Sequence, residues 1–179
     1  MCRVWERLLR IDKMAHSKEY VEGIIDQHDQ IADYSCVPSS VEMALKLLKK
    51  VPLDFYEFQK RCDPNGGCFT DFDGKTISGV TFHRINLADR GVKFPFKRLF
   101  DIIDQEIEAD RYVMVALVGM SKKGRCYHGY VIFGKDRANN DYYSVTKASS
   151  NDRYVTQFDG NIKNRIIETQ GTDILIYSI

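Results

Sequence analysis

Apolar residues recur at helical spacing through 36–50 (CVPSSVEMALKLLKK), where Val41, Ala44, Leu45 and Leu48 fall at i, i+3, i+4 and i+7 and Leu47 widens the stripe. Pro38 sits in the first turn, where its missing N–H costs nothing. Glu42 comes early and Lys46, Lys49 and Lys50 late, both in the sense the helix dipole favours. A second helix is predicted over 96–108, with Phe96, Leu99, Phe100, Ile103 and Ile107 on one face. The segment 78–90 (SGVTFHRINLADR) reads as a third helix, ended by Gly91 as a C-cap. From Tyr112 the pattern changes. Residues 112–118 (YVMVALV) form a continuous apolar run, expected of a strand buried on both faces. Residues 126–133 (CYHGYVIF) and 142–146 (YYSVT) flank the polar turn GKDRANND as a hairpin, and 174–177 (ILIY) supply a further strand.

Gly and Pro collect between Asp63 and Gly79 (DPNGGCFTDFDGKTISG), a long connection for a compact domain. Around it the chain divides into a helix-rich first half and a strand-rich second half. That order predicts an α+β fold, with helices packed on a mostly antiparallel sheet. The expected organisation is one domain over 17–179, with a helical lobe at about 17–110 and a sheet lobe at about 111–179. Residues 1–16 are set apart as an N-terminal extension, helical or a mis-called start, because Met14 follows the first thirteen residues directly. Whether 151–179 complete the sheet or form a separate flap is left open by the pattern.

Composition narrows the function classes. The chain has 179 residues, of which 44% are hydrophobic and 28% charged, enough apolar material for a core without covalent staples. Twenty-six basic residues against 25 acidic ones give a net charge of +1, which lacks the signature of a dedicated nucleic-acid binder. Five cysteines without a CxxC pair are too sparse for a disulfide scaffold, so a reducing, cytoplasmic setting is expected. No apolar run reaches the ~18–20 residues of a membrane span, and the first ten residues lack the apolar core of a secretory signal.

Cys36 begins the best helix in the sequence. Unpaired N–H groups and the positive end of the dipole favour a thiolate there, and the thiolate is the nucleophilic form. The competing reading is a buried structural cysteine. Two features favour chemistry. Gln30 lies six residues earlier, in QIADYSC, where its amide can share an oxyanion with the Cys36 N–H. His128 heads a predicted strand, in YHGYVIFG; Cys and His distant in sequence and adjacent in the fold are the layout such catalysis uses.

The segment DQIADYSCVPSSVEMALKLL resembles the start of papain-like peptidase domains of the double-glycine leader peptidase group, which precede bacteriocin-exporting transporters and also occur as stand-alone bacterial proteins. Their pattern is Gln, five residues, Cys-Gly-Pro/Ala, small residues and an apolar helix. The later HGYVIFGKD is similar to the group's His strand, and TISGVTFHRINLADRGVKF to the segment between. The similarity spans about residues 20–150. It implies a papain-like fold, with Cys36 as nucleophile, His128 as general base and acid, Gln30 as oxyanion donor, and acyl transfer through a thioester. No cofactor or metal is implied. A peptide or protein substrate is expected, and neither nucleic acid nor a membrane span.

Two positions depart from the group. Val37 replaces the usual Gly after the Cys and, with Tyr34, is a candidate substrate contact. Where an Asp-Pro normally follows the His strand, this chain has Thr146 and Lys147. Thr146 can orient an imidazole but supplies no carboxylate; Ser144 shares its strand face, Asp141 stands at the far end, and Asp152 lies in the next turn. The third member is thus open between Thr146 and Asp152. Other groupings are weaker: Cys62, Cys68 and His83 have poor zinc spacing, and Asp63, Asn65, Asp71 and Asp73 miss the EF-hand spacing. His28 reads as a surface residue, and KFPFKR (93–98) as core aromatics between basic residues. The leading expectation is therefore a cysteine hydrolase acting on peptides. The alternative is a catalytically silent papain-like module that binds a peptide or partner, since loss of a triad carboxylate costs up to about 10⁴ in rate.

Overall fold

A computed structural model describes residues 16–64, 67–121, 124–151 and 153–179, with side chains left aside at 119–126. The expected extension at 1–16, apart from His16, and the candidate Asp152 lie outside the described residues. Five α-helices and seven strands are present among the described residues: α1 Lys18–Ile25, α2 Cys36–Leu47, α3 Glu57–Lys60, β1 Thr76–Ile77, β2 Val80–Ile85, α4 Phe96–Glu108, β3 Val113–Ser121, β4 Gly124–Asp136, β5 Asp141–Ser150, β6 Arg153–Asp159, α5 Ile162–Glu168 and β7 Asp173–Ser178. The strands form a single sheet in the order β1-β2-β7-β3-β4-β5-β6. Every neighbouring pair is antiparallel. The fold is α+β, as the pattern predicts.

Strand alternation divides the core into two layers. On β3, Met114 and Ala116 face one side with Val41, Ala44 and Leu45 of α2 and Val21 and Ile25 of α1. Val113, Val115 and Leu117 face the other, against Leu99, Ile103 and Ile107 of α4 and Ile162 and Ile166 of α5. This double burial explains the unbroken apolar run of β3. On β4 the same rule puts Val131 and Phe133 toward α2 and Tyr130 and Ile132 toward α4 and α5. Each such Leu, Ile or Phe is worth roughly 1.5–3 kcal/mol when fully buried.

The segment read as a helix over 78–90 is instead β2. Val80 and Phe82 are buried and alternate with partly exposed Thr81 and His83, and the strand pairs with β7. Ser78 (φ 52°) and Gly79 (φ 80°) make the two-residue turn from β1, with the left-handed backbone that such hairpins need. Gly91 caps no helix; its N–H reaches Gln170 O at 2.8 Å. The first half therefore contributes two strands to the sheet that carries the second. Residues 153–178 complete that sheet through β6 and β7, with α5 laid over it. Among the described residues no helix is long and apolar enough to cross a membrane.

Candidate active site

All twelve residues of α2 are buried, because the helix lies centrally over the sheet. Its N-terminus meets β4 at one glycine. A Cβ on Gly129 would stand 2.7 Å from Cys36 O and 3.0 Å from Ser40 Oγ, so a side chain there would push the helix off the strand. Two residues earlier on β4, Tyr127 O accepts from the Cys36 thiol at 3.0 Å. Both chain neighbours of His128 thus adjoin Cys36, so the His128 backbone passes beside the start of α2. Cys36 is 7% exposed.

The His128 ring lies edge-on to Tyr130, 5.1 Å between centroids, on the face toward α5. Its Nε2 is 2.9 Å from Thr146 Oγ1, and Thr146 donates its own proton to Gly129 O at 2.6 Å. A hydroxyl has one hydrogen, so Thr146 must accept from His128 Nε2–H. In a neutral imidazole this leaves Nδ1 as the unprotonated nitrogen. Of the two residues left open as ring partner, Thr146 on β5 is hydrogen bonded to the ring, and Asp152 lies outside the described residues. Burial, and then the positive charge of Arg165, push the His128 pKa down to about 4. Arg165 itself is held by Asp159, Nη1 to Oδ2 at 2.5 Å, and stacks 5.0 Å above Tyr130. Ser144 turns to Asp159 O and Asp141 to the Lys163 N–H, away from the imidazole.

Gln30 is 6% exposed, and its Nε2 donates to Ala32 O at 3.0 Å. Its side chain also hydrogen bonds the Tyr154 phenol, whose pKa rises through burial and its bond to Asp33. The loop carrying Gln30 is clamped by Gln59 of α3. Gln59 Oε1 accepts the Ile31 N–H at 2.9 Å and the Ser35 hydroxyl at 2.8 Å; Nε2 donates to Asp29 O and to Glu42 Oε2.

Tyr34 and Tyr127 are exposed beside the site, as is Ile31, while Val37 is buried and lines a small cavity next to Cys36. Tyr127, Tyr154, Gln59 and Arg165 were missed by the sequence reading. No local motif marks them, although Tyr127 adjoins the His in the chain.

The remaining candidates lie elsewhere. His28, read as a surface residue, is fully buried. Lys46 Nζ donates to its Nδ1 at 2.8 Å, which leaves Nε2–H for Ser39 Oγ at 2.8 Å. Burial and the adjacent lysines push its pKa down to about 2, and burial lowers Lys46 to about 8. His83 on β2 bonds Ser178 Oγ at 3.0 Å. Among the described residues no three His, Cys, Asp or Glu side chains cluster to hold a metal ion. Phe94 is core and Phe96 packs against it, so KFPFKR presents no aromatic platform. Comparison with known proteins finds no matching family model, no matching curated protein and no matching solved structure.

Proposed function

We propose that this chain is a papain-like cysteine hydrolase acting on peptides, with Cys36 as nucleophile and His128 as base. The observation that carries the reading is that Tyr127 and Gly129, the chain neighbours of His128, adjoin Cys36, while Thr146 takes Nε2–H of His128 and leaves Nδ1 unprotonated. A neutral His128 fits a resting thiol, whose proton is parked on Tyr127 O.

In the proposed reaction Nδ1 takes the Cys36 proton as sulfur attacks a peptide carbonyl. The oxyanion is received by the Cys36 N–H and Gln30. His128 then protonates the leaving amine, and water, deprotonated by the same nitrogen, resolves the thioester to acid and thiol. Thr146 orients the imidazole without supplying a countercharge, and Arg165 opposes the imidazolium. The site is thus a weaker base than a carboxylate-backed one. A cytoplasmic setting belongs to this reading, since reducing conditions there keep an unpaired thiol available. Exposed Ile31, Tyr34 and Tyr127 around the site suit a peptide chain with apolar side chains.

The test is acyl-enzyme trapping: wild type is mixed with a peptide thioester at neutral pH, quenched in acid and weighed by mass spectrometry. An adduct on Cys36 that is lost in His128→Ala is the expected result. Absence of an adduct with turnover no faster than in Cys36→Ala sinks the reading. The Arg165 charge beside His128 and the missing carboxylate favour a second reading, a silent peptide-binding module of the same fold.

A further inference from the structure

A cavity of about 170 Å³ opens beside Cys36, walled by Val37, Phe69, Ala116 and Tyr127. An engineered void of about 150 Å³ holds benzene, so this one has room for a single side chain of moderate size. Among the described residues that line it, only Arg84 and Asp173 carry charge. They sit on neighbouring strands, diagonally across the pair: Arg84 pairs with Leu175 on β7, two residues from Asp173.

Asp173 Oδ1 accepts from Arg84 Nη2 at 3.2 Å, and Oδ2 accepts from Arg90 Nη2 at 2.8 Å. Two guanidinium groups thus share one carboxylate. Arg90 is committed to the wall: it also donates to Ala116 O at 2.7 Å and lies 4.9 Å from the Tyr127 ring centroid. Arg84 differs. Its side chain is 28% exposed, and Asp173 takes one of the donors in its planar fork. The nearby loop carboxylates serve the main chain, Asp73 receiving the Arg84 N–H and Asp71 the Cys68 N–H. A slot with apolar and polar walls and an arginine fork that Asp173 only partly engages suits a carboxylate, the group that matches such a fork in shape and charge.

We propose that this cavity is the specificity pocket for an acidic residue of the substrate, whose side-chain carboxylate is bound by Arg84 close to the carbonyl that Cys36 attacks. The proposal rests on the cysteine-hydrolase reading for the reaction, but the recognition stands on the cavity's own chemistry. Val37 and Tyr127 connect the two: one follows the nucleophile, the other accepts its thiol proton, and both line the pocket.

The probes are peptidyl acyloxymethyl ketones differing in one residue, Glu, Gln, Leu or Lys, at each of the two positions preceding the electrophile. At one position, Cys36 is expected to be labelled about tenfold faster by the Glu probe than by the Gln probe, as charge-assisted pairs warrant, with the ratio shrinking in high salt. The ratio falls to near one in Arg84→Gln and turns toward the Lys probe in Arg84→Glu. Arg84→Lys, which keeps the charge, retains part of the preference and guards against loss of fold. Equal labelling across the set, or a Glu preference that survives Arg84→Gln, overturns the pocket while leaving the hydrolase reading intact. If no probe labels Cys36, that reading fails instead. The pocket is then judged by titrating unreactive Glu and Gln peptides onto Cys36→Ala. About tenfold tighter binding of the Glu peptide supports it, and equal or undetectable binding overturns it.

Discussion

At the scale of single residues, the imidazole of His128 decides what the site can do. Thr146 fixes its tautomer, and burial with Arg165 keeps it neutral. With a pKa near 4 the base is ready across the whole neutral range, so the acid limb of activity is expected near pH 4 rather than near the ordinary histidine value of about 6.5. A limb at or above 6 in a pH–rate profile would contradict this. Arg165→Gln removes the opposing charge, and Thr146→Asp adds a favourable one. Each is expected to raise the His128 pKa, read from its ring-proton titration by NMR. Thr146→Ala leaves the ring without its guide and is expected to lower kcat/KM about tenfold, the equivalent of one hydrogen bond of about 1.4 kcal/mol. Cys36, Gln30 and His128 were legible in the sequence because their residue types, order and spacing point to one chemistry. Thr146 was legible only as one of two choices, since no spacing fixes how β5 pairs with β4. Arg165 and Tyr154 were not legible at all; α5 and β6 bring them in, and neither element had been identified.

Among the elements, α2 and its approach loop do most of the positioning. The helix at 36–50 follows from periodicity, although it ends at Leu47, and α4 spans the predicted 96–108. Helix 78–90 failed for a physical reason. Val80 and Phe82 alternate as a strand requires, but six residues are few, and the pairing partner β7 lies more than 90 residues away at the other end of the chain. A one-dimensional pattern cannot register such a partner. The clamp on the loop was equally hidden, since Gln59 reaches Ile31 and Ser35 across 28 and 24 residues. Gln59→Leu removes these bonds and leaves the Glu42 carboxylate without one of its donors. It is expected to destabilise the fold by about 1–3 kcal/mol and to reduce Cys36 reactivity, checked by urea unfolding and alkylation rate. Gly129→Val overpacks the α2–β4 crossing and is expected to cost at least as much, while Gly23→Ala, where no atom crowds the added carbon, leaves stability nearly unchanged.

For the molecule as a whole, two buried neutral histidines set the response to acid. His28 and His128 have pKa values of about 2 and about 4 when folded, against about 6.5 unfolded. Between those values the unfolded chain binds more protons, so stability rises with pH there and is lost as pH falls from about 6.5. Each histidine contributes up to about 1.4 kcal/mol per pH unit in its window. Urea unfolding at pH 7, 6, 5 and 4 is expected to show this decline, shallower in His28→Gln; a flat profile would contradict it. The helix–sheet–helix layering was partly legible, because the apolar run of β3 announces a strand covered on both faces. Which helices cover which face was not, since it depends on chain crossings that no segment encodes alone.

The central claim, that Cys36 and His128 work as a nucleophile–base pair, is tested most directly by the rate of iodoacetamide alkylation at each cysteine against pH, read by mass spectrometry in wild type and His128→Ala. The account predicts that the rate at Cys36, which is more buried than Cys62 and Cys68, depends on His128 as its base and falls in the variant while the rates at the other two are unchanged. A Cys36 that reacts equally fast without His128 would contradict it.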